Sequence, residues 1–177
     1  MDISKIPAGD NLPQEFNVIV EIPAHAPPVK YEQDKASGAM FVDRFLSTSM
    51  VYPLNYGYIP HTLSEDGDPT DVLVYTPFAL QYGAVVRCRA LGVLCMEDER
   101  GRDKKVLAVP LDKICPMTRQ VQAIDDLPEL LLQQVIHFFE HYKDLEAGKW
   151  TKVRGWGALE EAHEEILTSL ARYPRRE

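Results

Sequence analysis

Phe16-Asn17-Val18-Ile19-Val20-Glu21-Ile22 is the stretch from which the fold class is read. Phe16, Val18, Val20 and Ile22 recur at every second position, with Glu21 between them. Successive strand side chains point to opposite faces, so this alternation predicts a half-buried β-strand with Glu21 on its less apolar face. Further along, residues 31–34 and 39–44 flank Ser37-Gly38 and predict a hairpin. Residues 72–76, 84–96 and 105–109 are rich in Val and Leu and also predict strands. The last two are separated by Asp98-Glu99-Arg100-Gly101-Arg102-Asp103, a polar turn. The period then changes. Leu131, Val135, Phe138, Tyr142 and Leu145 recur at spacings of three and four, which predicts an amphipathic helix. Asp126 is its expected N-cap, with Glu129 in a capping-box position, and Gly148 its expected stop. A second helix is expected over 159–173, with Ile166 and Leu170 on its buried face. Strands first and helices last predict an α+β fold: a mostly antiparallel sheet or small barrel with helices packed outside. Thirteen prolines, many of them between the strands, suit a barrel with structured loops.

With 177 residues, 45% of them hydrophobic, the chain is expected to form one domain spanning 1–177. A chain of this size buries about two-thirds of its unfolded surface and needs no disulfide or metal merely to fold. The 27 acidic and 19 basic side chains leave a net charge of −8, which argues against nucleic acid or an anionic membrane as partner. No apolar run approaches the roughly 20 residues of a membrane span. The start, MDISKIPAGD, lacks the pattern of a secretion signal. Cys88, Cys95 and Cys115 are an odd number without a CxxC pair, so a reduced, cytoplasmic protein is expected.

Ser64-Glu65-Asp66-Gly67-Asp68-Pro69-Thr70-Asp71-Val72 places three aspartates within six residues of a turn forced by Gly67 and Pro69. Two like charges 4 Å apart repel by roughly 4 kcal/mol at an effective dielectric near 20. A hard divalent cation removes that cost; a solvated acidic turn, where water screens the charges, avoids it. The spacing is not that of an EF-hand, which from Asp66 would need Gly at its sixth position and Glu at its twelfth, where Asp71 and Pro77 stand. Asp98 and Asp103 bracket the polar hairpin turn and are expected to face each other, with Lys105 on the same side as Asp103. Glu21, Lys30, Glu32, Arg44, Tyr52, Tyr56, Tyr142 and Lys143 complete the inventory. Each has a plain reading as surface charge, half-buried aromatic or helix-end cation. Together they match what phosphoryl transfer requires: carboxylates for metals, with Lys, Arg and Tyr for oxyanions.

Two other motifs carry less. His137-Phe138-Phe139-Glu140-His141 matches H-x-x-E-H, but nothing in the following helix fixes a third zinc ligand, and packing at a helix or subunit contact is the expectation. Gly148-Lys149 lacks the upstream Gly and the following Ser/Thr of a phosphate loop. Trp150 and Trp156 are expected to be packing residues.

Taken as a set, these residues resemble soluble family I inorganic pyrophosphatases of the bacterial type. The resemblance rests on Asp66-Gly67-Asp68-Pro69-Thr70-Asp71-Val72, with Ile22-Pro23-Ala24, Lys30-Tyr31-Glu32, Phe41-Val42-Asp43-Arg44, the run from Tyr52 to Ile59, Asp98 to Lys105, and His137 to Lys143. It extends over about residues 6 to 170. Thr70 departs from the apolar residue usual at its position and is expected to face the scaffold. The resemblance implies a five-stranded OB-like barrel with flanking helices. It also implies Mg²⁺ as cofactor, with Mn²⁺ or other divalent metals as substitutes. Asp66, Asp71 and Asp103 then resemble ligands of the tighter metals, and Asp98 and Asp103 those of a metal arriving with substrate. Glu21 and Glu32 line the same cavity. Lys30, Arg44, Tyr56, Lys105, Tyr142 and Lys143 match phosphate-binding groups, Tyr52 supports them, and Asp68 matches the residue that takes a proton from, or orients, the attacking water. The implied partners are pyrophosphate and phosphate, with a homo-oligomer, a hexamer, as the assembly. The alternative from the residues alone is a barrel that binds metals or anions without catalysis.

Overall fold

The computed structural model describes residues 3–34 and 36–174. In chain order its strands are β1 (Phe16–Ile22), β2 (Val29–Gln33), β3 (Met40–Phe45), β4 (Asn55–Tyr58), β5 (Asp71–Val74), β6 (Val85–Asp98) and β7 (Gly101–Pro110). Helix α1 (Glu129–His141), strand β8 (Thr151–Gly157) and helix α2 (Leu159–Arg172) follow. β1 pairs with β4 on one side and β6 on the other, β4 pairs with β5, and β6 with β7, all antiparallel. A parallel pairing of β5 with β7 closes the ring β1-β4-β5-β7-β6. The result is the expected five-stranded barrel, a form that leaves no exposed sheet edge within the ring. β2 and β3 form a separate hairpin, and β8 adds to the far half of the long β6. No helix among the described residues is long and apolar enough to cross a membrane.

The two helices cover different faces. Leu73, Leu107 and Val109 pack in one cluster with Phe138 and Phe139 of α1. Their neighbours Val72, Val74, Val106 and Ala108 pack in a second with Ala162 and Ile166 of α2. Consecutive residues thus serve opposite cores, as a period of two requires, and both faces of these strands are dry. The same holds for β1, which is not half-buried as expected. Val18 and Val20 join the α2-side cluster, whereas Ile19 packs with Ile3, Ile6 and Tyr58. Glu21 is itself buried.

Three further expectations are corrected. Asp126 does not cap α1. Leu127, which precedes Pro128, is extended (φ −86°, ψ 151°) because the proline ring disfavours helical geometry before it, so the helix starts at Glu129. The Asp126 carboxylate instead accepts the N–H groups of Gln122 (2.8 Å) and Ala123 (2.9 Å). α1 also stops at His141, short of Gly148, because three-residue turns (Asp144 N–H to His141 O, Glu146 N–H to Lys143 O) replace the helical ladder and leave Leu145 exposed. Trp156 packs against the α1-side core, but Trp150 is 49% exposed. α2 lies where expected, and Glu161 accepts the Ala158 N–H at its start.

Gly57 in β4 lies against the backbone of β1. A Cβ there would stand 2.1 Å from the Ile19 carbonyl oxygen and 3.0 Å from Val20 Cα, and neither can move without breaking the barrel register. Gly57→Ala is therefore expected to cost about 3 kcal/mol or more, at or beyond the top of the usual range for overpacking. Urea denaturation measures it; a midpoint equal to wild type would show that the two strands can part freely.

Candidate active site

The acidic loop is built by local backbone chemistry. Ser64 N–H donates to Asp68 O (2.7 Å), Gly67 N–H to Ser64 O (3.2 Å) and Asp68 N–H to Asp66 Oδ1 (3.1 Å). Gly67 supplies the positive φ of 90° that the turn needs. Thr70 faces the scaffold, as expected: it is fully buried, its N–H donates to Thr62 Oγ1 (2.9 Å) and its hydroxyl to Ser169 Oγ (2.7 Å) on α2. Asp71 begins β5, in register with Lys105 on β7.

The β6–β7 hairpin supplies the second acidic set. Asp98 pairs with Gly101, and Met96 with Asp103, so the turn is only Glu99-Arg100. Asp98 and Asp103 are therefore diagonal neighbours on one face and not directly opposed, which corrects the expected face-to-face arrangement. Both are buried. Lys143, just beyond α1, donates to Asp98 Oδ2 (2.8 Å) and lies 3.4 Å from Glu99 Oε1. Lys105 donates to Asp71 Oδ2 (2.8 Å) and to both oxygens of Asp103 (3.0 Å each).

Two adjoining hollows gather most of the sequence-predicted residues. Glu21, Lys30, Glu32, Arg44, Tyr56 and Asp68 line a cavity of about 250 Å³. Asp66 and Asp103 line a smaller one of about 40 Å³, and Asp71 belongs to both. Tyr56 is part of β4, despite the Pro and Gly residues around it. Tyr52 does lie outside the strands, packed at 5.1 Å from the Tyr56 ring and 4.6 Å from Phe138. Tyr142 stacks on Phe138 at 5.2 Å and is buried beside Lys105 and Lys143. Lys30 and Arg44 face each other across β2 and β3 and share Asp43, at 3.3 and 3.1 Å. His137 and His141 are exposed, with His141 paired to Asp144 at 2.8 Å and not directed into either hollow.

Crowded, partly dry carboxylates have unusual affinities for protons. Burial pushes Glu21 up to about 8, Asp71 and Glu32 add to the rise, and the N–H of Gln33 on its Oε1 (2.8 Å) partly offsets it. Burial likewise raises Asp66 and Asp103, with neighbouring aspartates adding to both. Burial opposes ionisation of Asp98 too, but the Lys143 ammonium and the Arg100 N–H outweigh it and hold the carboxyl below its ordinary value. Burial pulls on Lys105 as well; Asp103 and Asp71 overcome this and keep it protonated well above the usual range.

Among the described residues no three acidic, histidine or cysteine side chains already form a coordination cage. The ammonium of Lys105 sits between Asp71 and Asp103 instead. Asp66, Asp71 and Asp103 nonetheless offer the carboxylate oxygens that a hard divalent cation takes, beside a small hollow that Glu65, Glu165, Arg102 and Lys104 also line. Asp66, Asp71 and Asp103 are the residues that would hold such an ion.

Several functional neighbours escaped the sequence reading. Asp43 balances Lys30 and Arg44, and Gln33 ties Glu21 to Tyr58, whose hydroxyl donates to Gln33 Oε1 (3.3 Å). Arg100 lines the larger cavity and donates to Asp68. Its signal was its place in the polar hairpin tip between Asp98 and Asp103.

Comparison with known proteins agrees with this geometry. A sequence model of the family described as inorganic pyrophosphatase matches residues 18–174. The chain is 57% identical to the inorganic pyrophosphatase of Salmonella typhimurium over 176 residues, covering 99% of this chain and 100% of that protein. It is 58% identical to that of Escherichia coli K12 over 172 residues, 97% and 98% of the two chains. Its fold superposes on the structure of an inorganic pyrophosphatase from Coxiella burnetii with a TM-score of 0.92 and 52% identity, over 96% of this chain and 100% of that one. With a family match over residues 18–174 and similarity of this kind over almost its whole length, the chain belongs to the inorganic pyrophosphatase family of hydrolases.

Proposed function

We propose that the chain hydrolyses inorganic pyrophosphate to two phosphates with the help of Mg²⁺, for which Mn²⁺ can substitute. The observation that carries this reading is the meeting of two hollows at Asp71, one acidic with Asp66 and Asp103, the other ringed by Lys30, Arg44 and Tyr56. A divalent cation, when bound among the carboxylates, supplies charge neutralisation and lowers the pKa of water towards roughly 7. Lys30, Arg44 and Tyr56 receive the oxyanions of the substrate, and Lys105, Tyr142 and Lys143 reinforce them from the buried side. Asp68 accepts a proton from water as its oxygen bonds to one phosphorus in line. The bridging P–O bond breaks on the opposite side, and the second phosphate leaves with the electron pair. Diphosphate and water become two phosphates, and the proton held by Asp68 returns to solvent or product.

Glu21 and Glu32 line the same cavity, where the neighbouring Lys30 ammonium works against the rise that burial gives Glu21. Asp98 with Lys143 fixes the end of the hairpin next to α1. A cytoplasmic homo-oligomer, specifically a hexamer, completes the proposal and rests on the family resemblance.

The test is phosphate release from pyrophosphate by purified protein. Release is expected with Mg²⁺, none with excess EDTA, and recovery when Mg²⁺ or Mn²⁺ is restored. A protein that binds pyrophosphate or metals but releases no phosphate under any of these conditions is the non-catalytic binding barrel instead.

A further inference from the structure

Arg100 joins the two acidic segments. It occupies the tip of the β6–β7 hairpin, where its backbone N–H donates to Asp98 Oδ1 at 2.8 Å. Its side chain crosses to the loop 64–71, where Nη1 donates to Asp68 Oδ2 at 2.7 Å and Nη2 to the Asp66 carbonyl at 2.6 Å. The guanidinium thus grips the loop at two points two residues apart. Isolated ion pairs this exposed add little stability. A planar fork held by two acceptors does something else: it fixes direction, which a lysine ammonium cannot do.

We propose that Arg100 is a positioning residue for Asp68. By holding Oδ2 it fixes the plane of the carboxylate and leaves Oδ1 as the oxygen offered to the attacking water. A base oriented by a third group through its other polar atom is a recurrent arrangement in catalysis. The inference rests on the role of Asp68 in the proposed reaction. Arg100 shares the cavity lining with Lys30 and Arg44, so the competing idea is a third direct clamp on substrate.

The experiment compares wild type, Arg100→Ala, Arg100→Lys, Asp68→Asn and the double variant Arg100→Ala/Asp68→Asn in Mg²⁺-supported pyrophosphate hydrolysis. Arg100→Ala is expected to lower kcat by ~10-fold with KM within ~2-fold of wild type, the mark of a group that acts on the transition state. Arg100→Lys should not recover kcat, and the double variant should be no slower than Asp68→Asn alone. A raised KM with kcat retained, full kcat in Arg100→Lys, or an undiminished Arg100→Ala effect in the Asp68→Asn background would each overturn the proposal. A second readout needs neither metal nor turnover. Hydrogen exchange on the metal-free protein should be ~10-fold faster at the amide of Asp68 in Arg100→Ala, because its closed loop has lost two tethers. Unchanged protection there also overturns the proposal. Absence of phosphate release by wild type would reject the proposed reaction itself, a different outcome that the exchange measurement separates from failure of the grip.

Discussion

Asp68→Asn is expected to reduce kcat at least ~10²-fold, the low end for loss of acid–base help, while leaving the fold and divalent-metal binding intact. The separation of effects follows from where Asp68 sits. It lines the larger cavity but not the smaller one, where Asp66, Asp71 and Asp103 converge. Its side chain is 44% exposed, so the amide has little burial to disturb, and it can still accept the Arg100 N–H through its oxygen. The capacity to take a proton is lost together with the charge, and the Arg100 contact becomes a hydrogen bond to a neutral acceptor. Steady-state kinetics, a thermal melt and a Mg²⁺ titration read the three quantities separately. Near-wild-type turnover would remove Asp68 from the chemistry, and loss of metal binding would place it among the ligands.

How far the site could be read in advance depended on how local its causes are. The loop 64–71 was legible because Gly67 and Pro69 act through their own backbone. The resemblance singled out Thr70 as a residue facing the scaffold, though not its bond to Ser169, 99 residues away. β1 was legible as a strand, but its second buried face was not. Ile3 and Ile6, which cover Ile19, come from a segment without periodicity of its own. β4 was hidden by Pro53 and Gly57, which look like turn residues until β1 is seen to need Gly57 for its close approach. β8 carries Lys152, Arg154 and two glycines; its pairing with β6 comes from tertiary contact more than from intrinsic preference. The facing of Asp98 and Asp103 failed by two residues of register, because a two-residue turn in place of a four-residue one shifts every partner along the hairpin while keeping both on the same face. The sign and type of the site's charges were thus readable, while their pairing depended on contacts between segments far apart in the chain.

That pairing has its strongest consequence at Lys105. The side chain is buried, with its ammonium bonded to Asp71 and to both oxygens of Asp103 and lying 5.4 and 5.3 Å from the rings of Tyr56 and Phe139. Lys105→Met keeps the length of the stem but leaves the buried Asp103 and the half-buried Asp71 carboxylates facing each other without a cation. Removing one partner of a buried ion pair typically costs ~3–5 kcal/mol, since the remaining charge is neither solvated nor matched. That loss is the expected result for the metal-free protein, measured by urea denaturation in EDTA. Two changes should recover part of it. Asp103→Asn in the same chain removes one of the stranded charges, and Mg²⁺ added to Lys105→Met supplies a different cation to the same oxygens. The Mg²⁺ rescue distinguishes this account from a simple packing defect when it exceeds the gain that Mg²⁺ gives wild type: a packing defect leaves that gain unchanged, whereas two unpaired carboxylates bind the ion more strongly and enlarge it. A Lys105→Met protein as stable as wild type in EDTA would mean that Asp71 and Asp103 carry no shared charge in the folded chain, and the carboxylate basis of the metal site would fall with it.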